Sequence, residues 1–172
     1  LTENFALGIN LNYIYEEIED FEADSFSFDL GITYANKEYL KNFKIAFVMQ
    51  NMGQSVQYVE DGDRYNLPFC ARFGFGWIPY ENHPHKILLG IDFVQFRDSD
   101  LKSNLGIEYS FNNFLFGRLG LQAGYDTVDL GLAGGFGIKY AVARGMNLNL
   151  DVAYTTIDDF DDLFRIGFGI NF

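Results

Sequence analysis

Six charged residues, Arg72, Asp92, Glu108, Arg118, Asp151 and Arg165, fall within alternating segments, on faces otherwise made of Gly, Ala, Ser and Asn. A period of two is the signature of a strand, so each charge shares one side of a sheet with small neighbours. Arg72 and Asp92, Glu108 and Arg118, and Asp151 and Arg165 lie about equally far from the turns that connect them. Each pair is therefore expected to meet across neighbouring strands. The chemistry this offers is charge pairing inside a polar interior, either as bridges that brace it or as a constriction that screens solutes by charge. Opposite signs in adjacent positions favour bracing, because a selective ring would be mostly of one sign.

Other chemistry finds thinner support. The acidic stretches 15–24, 59–64 and 157–162 hold oxygen ligands at a density that suits Ca²⁺, but "DGD" at 61–63 is not followed by the twelve-residue ligand series of an EF-hand. They read first as solvated, self-repelling loops. "ENHPHK" places His83 and His85 in one turn, enough to begin a Zn²⁺ site, with no third ligand set by sequence to complete it. "GLAGGFGIKY" (131–140) lacks the GxGxxG spacing of a nucleotide loop and alternates as a strand. There is no GxSxG, and no Ser/His/Asp triad can be assembled. Cys70 cannot form an internal disulfide, since it is the sole cysteine, and it reads as a small side chain on the polar face. No enzyme activity, metal or cofactor is expected.

The elements that must position these residues are ten alternating segments, near 4–15, 25–35, 43–50, 67–78, 86–94, 103–110, 115–125, 130–141, 146–154 and 163–172. One face of each is apolar, as in Phe5, Leu7, Ile9, Leu11 and Tyr13, or Phe164, Ile166, Phe168, Ile170 and Phe172. The opposite face is small or polar, as in Gly8, Asn10 and Asn12, or Gly131, Gly135 and Gly137. A soluble sheet would expose Lys, Glu, Arg and Thr there, whereas small residues suit a curved, crowded interior. Tyr13, Tyr34, Trp77, Tyr125, Tyr140 and Tyr154 fall at strand ends on the apolar face, where an interfacial aromatic girdle would stand.

Composition agrees. With 19 Phe, 11 Tyr, 18 Gly and only 3 Pro, the chain favours strands over helices. No apolar run is long enough for a transmembrane helix, but a spanning strand needs only about 9–11 residues. The net charge of −12 argues against nucleic-acid binding. Its distribution says more. If successive connections alternate sides, one set (16–24, 51–66, 95–103, 126–129, 155–162) holds 17 acids and 3 bases. The other set (36–42, 80–86, 111–114, 142–145) is shorter and holds 2 acids and 4 bases. Long loops on one side and tight turns on the other mark an outer-membrane barrel. The expectation is one all-β domain over 1–172, a transmembrane antiparallel up-and-down β-barrel in a bacterial outer membrane, in contact with its lipid.

Several stretches also resemble a family. "LGINLNYIYEEIEDFEADSFSFDLGITY" followed by "FKIAFVMQNMG", then "YNLPFCARFGFGW" with Pro68, Arg72 and Gly74, then "LLGIDFVQF", "NLGIEYSF" and "GRLGLQAGYDTVDLGLAGGFGIKY", are similar in order to elements of the PorV/PorQ family of FadL-like outer-membrane barrels. The resemblance covers nearly the whole chain and implies a barrel of about fourteen strands. The ten seen here would be its C-terminal part, without the first strands and the signal peptide. The family's "NPA"-type amino-terminal segment is not found, so no lumen plug is carried over. The resemblance further implies passive transport of hydrophobic small molecules, or a secretion-associated role of the type IX kind. For hydrophobe transport the candidate apolar contacts in the lumen are Ile14, Val48, Ile78, Leu88, Val94 and Phe116. Phe172, on the apolar row, resembles the C-terminal assembly signal of such barrels. Two other readings stay open: a structural barrel whose acidic loops dock a secretion or envelope protein, and a soluble β-barrel that binds a lipid-like ligand.

Overall fold

Alternation runs through most of the chain, and the backbone answers it with strands. The computed structural model describes residues 4–18, 21–36, 42–57, 62–125, 128–143, 145–157 and 162–171. Among the described residues there are twelve strands: β1 (Phe5–Ile18), β2 (Phe21–Asn36), β3 (Phe43–Gly53), β4 (Val56–Gln57), β5 (Arg64–Tyr65), β6 (Cys70–Asn82), β7 (His85–Phe96), β8 (Lys102–Phe111), β9 (Leu115–Tyr125), β10 (Val128–Ala143), β11 (Met146–Thr155) and β12 (Leu163–Asn171). There is no helix among the described residues. Ten strands form one antiparallel up-and-down sheet in the order β1-β2-β3-β6-β7-β8-β9-β10-β11-β12, while β4 and β5 make a small ladder of their own. The sheet is not closed, because β1 and β12 do not pair with each other.

Register gives the sheet two unlike faces. Ile9 pairs with Leu30, Ile45 with Phe75, Ile91 with Leu105 and Leu150 with Phe168, so apolar side chains line up from strand to strand. The other face aligns small residues, including a row that runs Gly76–Gly90–Gly106–Gly120–Ala133 across five strands. The apolar face is bare: Leu11 is 81% exposed and Phe168 69%. The whole chain leaves 12520 Å² accessible, against about 8,600 Å² for a compact monomer of its mass. Burial within the chain is therefore not what covers this face.

Boundaries differ from the sequence expectation where polar residues continue a strand. β1 and β2 reach Ile18 and Phe21 because Tyr15, Glu16 and Glu17 keep pairing with Asp24, Ala23 and Glu22. The short turn at 111–114 holds to expectation. Asn112 and Asn113 both take positive φ (55° and 52°), the type I′ arrangement that matches strand twist. The connection from β3 to β6 departs most. Residues 54–57 and 62–69 form a strap over the small-residue face of β1 and β2, with Val56 and Leu67 buried against Ala23 and beside Ile14.

Candidate functional site

The small-residue face carries all of the charged candidates, and its glycines explain how they fit. Arg118 on β9 stands opposite Glu108 on β8, and its Nε donates to Glu108 Oε2 at 2.7 Å. Its Nη1 donates to Asp151 Oδ1 at 2.5 Å, although Asp151 lies two strands away on β11. The side chain crosses β10 where Gly135 and Gly137 stand. A Cβ on Gly137 would lie 2.6 Å from Asp151 Oδ1 and 3.1 Å from Arg118 Nη1. The ring of Phe116 lies beneath the guanidinium, 5.4 Å from its carbon. Gly131 makes the same kind of room for Gln122, whose side-chain atoms lie 2.5 Å from where a Cβ would stand.

Two of the expected pairs form and one does not. Arg72 Nε meets Asp92 Oδ2 at 3.3 Å, over Gly74, and Glu108 meets Arg118. Asp151 does not pair with Arg165. It turns to Arg118, and Arg165 stands opposite Ala153 on β12 without an ion pair to any described residue. The glycines of β10 decide this, because they open a path to a cation that is already aligned. Pairing by turn distance considers only adjacent strands and misses such a reach.

At the end where the acidic connections gather, Asp29 is held differently. Its Oδ1 accepts from the backbone N–H of Asn51 at 2.8 Å, and its Oδ2 accepts from Asn10 and Asn12 at 3.2 and 3.4 Å. Asn51 takes φ 57° to aim that N–H, beside a register shift between Phe28 and Leu30. Lys102 lies 4.9 Å from the Tyr125 ring and 5.5 Å from that of Phe96, and Tyr125 donates to Asn104 at 3.0 Å. Tyr125 thus belongs to the small-residue face and not to the aromatic girdle. Gly124, at φ 79°, breaks the alternation just before it, and a Cβ there would strike the Leu101 carbonyl. Tyr13, Tyr34, Trp77, Tyr140 and Tyr154 remain exposed on the apolar face as expected.

The six apolar candidates share the small-residue face but do not meet as one pocket. Ile14 packs on the strap. Val48 faces Gly31 and Arg72, Leu88 faces Glu108, and Phe116 faces Ser110 and Gly137. Val94, only 2% exposed, stands between Arg72 and Lys102. Ile78 sits at the register shift between Trp77 and Tyr80 and donates its N–H to the Asn42 carbonyl at 3.1 Å. A trough of about 400 Å³ on this face is bordered by Lys44, Asp92 and Asn104 and floored by Gly74, Gly76 and Gly90. A larger apolar trough of about 750 Å³, lined by Leu105, Leu119, Leu132 and Tyr154, lies along the apolar face. None of the six candidates lines either.

His83 Nε2 lies 2.9 Å from Asn112 Oδ1, and His85 Nδ1 lies 2.6 Å from the Tyr109 hydroxyl. The first contact ties one short turn to the next, and the second joins β7 to β8 just inside those turns. Among the described residues no group of three or more His, Cys, Asp or Glu is placed to hold a metal. Cys70 is buried. Phe172 and much of the acidic stretches (19–20, 58–61, 158–161) lie outside the described residues. Comparison with protein-family models and with curated proteins finds no match.

Proposed function

We propose that this chain forms wall of a β-barrel of the FadL/PorV type in a bacterial outer membrane, acting passively and without covalent chemistry. One observation carries the reading: a continuous apolar face left bare of protein, backed by a face of glycines, amides and ion pairs. Lipid is the solvent that suits the first face, and a lumen suits the second. From Phe5 to Tyr13 the apolar row of β1 runs about 26 Å along the strand. At a tilt of about 40° this gives roughly 20 Å of height, near that of the apolar band of known barrels. In a soluble lipid carrier the apolar residues would have to line the interior instead.

Within this class the chemistry supports passage of small solutes along the small-residue face. Its larger apolar side chains lie apart and charged or amide groups, Lys44, Asp92 and Asn104, border its glycine floor, so a small polar solute suits it better than an oily one. A second reading rests on topology. The alternating connections bring the acids of the long loops to one end, beyond the apolar band, where a cationic partner of a secretion or envelope complex would dock.

The test is placement in the bilayer. In a Cys70→Ser background, Leu11→Cys and Ile166→Cys should react with a lipid-confined thiol probe and resist a water-confined one. Asn149→Cys should do the reverse. A protein that stays monodisperse without detergent, with all three thiols open to the aqueous probe, would sink the reading.

A further inference from the structure

The connection between β3 and β6 is the only described segment that leaves the plane of the sheet to cover one of its faces, and it covers the face assigned to the lumen. It is fastened at several points. The Ser25 hydroxyl donates to the Gln54 carbonyl at 2.8 Å, and Asn51 Nδ2 donates to the Pro68 carbonyl at 2.8 Å. Its two limbs are latched to each other by Ser55, whose hydroxyl donates to Asn66 Oδ1 at 2.8 Å. Val56 and Leu67 are buried on Ala23, and Ser25 and Ser27 beneath are only 4% exposed. A solvated loop would not bury the serines of the neighbouring strand β2, and a loop that merely joined two strands would need none of these contacts.

We propose that the strap of residues 54–57 and 62–69 is a built-in constriction, seated inside the acidic mouth of the barrel, that sets the size of solute able to pass. The inference rests on the barrel reading and adds a division of labour to it. The strap fills the mouth in front of β1 and β2, so the free path runs along β6 to β11. There Arg72–Asp92 and Glu108–Arg118–Asp151 line the wall and act on charge. Size is set by backbone, and charge preference by side chains.

The experiment uses the whole chain, purified in detergent and reconstituted into planar bilayers and liposomes. Ala23→Cys in a Cys70→Ser background reports the strap, because Ala23 lies under Val56 and Leu67 and is 5% exposed. With the strap seated this thiol should react slowly with a water-soluble maleimide. Val56→Asp, or Leu67→Asp, puts a carboxylate into the apolar contact and should release the strap. The reporter should then label quickly, conductance should rise about twofold, and larger neutral sugars should enter liposomes. Ser55→Ala with Asn66→Ala opens only the latch and serves where the Asp variants fail to assemble. It should give a smaller change in the same direction. Arg118→Gln should alter ion preference and leave both labelling and the size limit alone. Fast labelling with an unchanged size limit and conductance would overturn the constriction while leaving the barrel intact. Absence of any conductance from the parent chain would instead remove the barrel's passage, and the constriction with it.

Discussion

Asp29 and Asp151 are carboxylates on the same face of one sheet, held in opposite ways. Asp151 is held by a cation, with Arg118 brought to it over the glycines of β10. Asp29 is held by amides: one backbone N–H fixed by a positive-φ asparagine and two asparagine side chains. The surroundings differ in the same sense. Near Asp29 the space in front of the sheet is filled by backbone, through the strap. Near Asp151 it is filled by charged side chains lying across neighbouring glycines. A face of small residues is thus not an empty face. It is a mould whose filling comes from elsewhere, and the filling sets how rigid and how salt-sensitive each part is.

Substitutions can break this contrast or sharpen it. The largest effect is expected at Gly53, where the strap leaves β3. A Cβ there would strike the Phe26 carbonyl and lie 2.9 Å from Leu67 Cδ1. Gly53→Ala should cost about 2–3 kcal/mol of stability, read as a lower midpoint of unfolding in detergent. Gly76→Ala is its control, since nothing lies within 4 Å of the added carbon. Next comes Asp29→Asn, which takes the charge from three hydrogen bonds and should cost about 1–2 kcal/mol. That cost should change little with salt, because no counter-charge is involved. Asp151→Asn should cost about 1 kcal/mol or less, the pair being part exposed. Raising the salt should shrink that difference, because screening weakens the pair in the parent chain. Equal salt responses at the two sites would refute the distinction. The smallest effect is expected from Arg165→Gln, within about 0.5 kcal/mol, as Arg165 has no ion-pair partner among the described residues. A larger loss would mean that Arg165 meets an acid in the assembled protein.

What the sequence made legible follows from the range of each force. Alternation is local, so the ten long strands, their two faces and the tight Asn112–Asn113 turn could be read directly. Ion pairs between adjacent strands follow from turn geometry, which is why Glu108–Arg118 and Arg72–Asp92 were readable. Contacts that skip a strand were not. Arg118 reaches Asp151 because of what Gly135 and Gly137 lack, and an absence on an intervening strand leaves no trace in pairing distance. Tyr125 was misplaced for a related reason, since the positive φ of Gly124 reverses a parity that counting assumes. The strap was hidden because alternation drew Leu67 into the segment 67–78, whereas β6 begins only at Cys70, and Val56 stands in a polar connection without period.

The two free edges carry one more consequence. β1 pairs with β2 along fourteen residues and β12 with β11 along nine, neither with a register shift. With ten strands alternating in direction, these outermost strands run opposite ways. Whatever joins them must preserve that handshake: they can zip directly, or through an added pair of strands, or two pairs. A single added strand would have to lie parallel to one of its neighbours, breaking the rule every other seam obeys. Closure of this wall is therefore governed by parity before it is governed by energy.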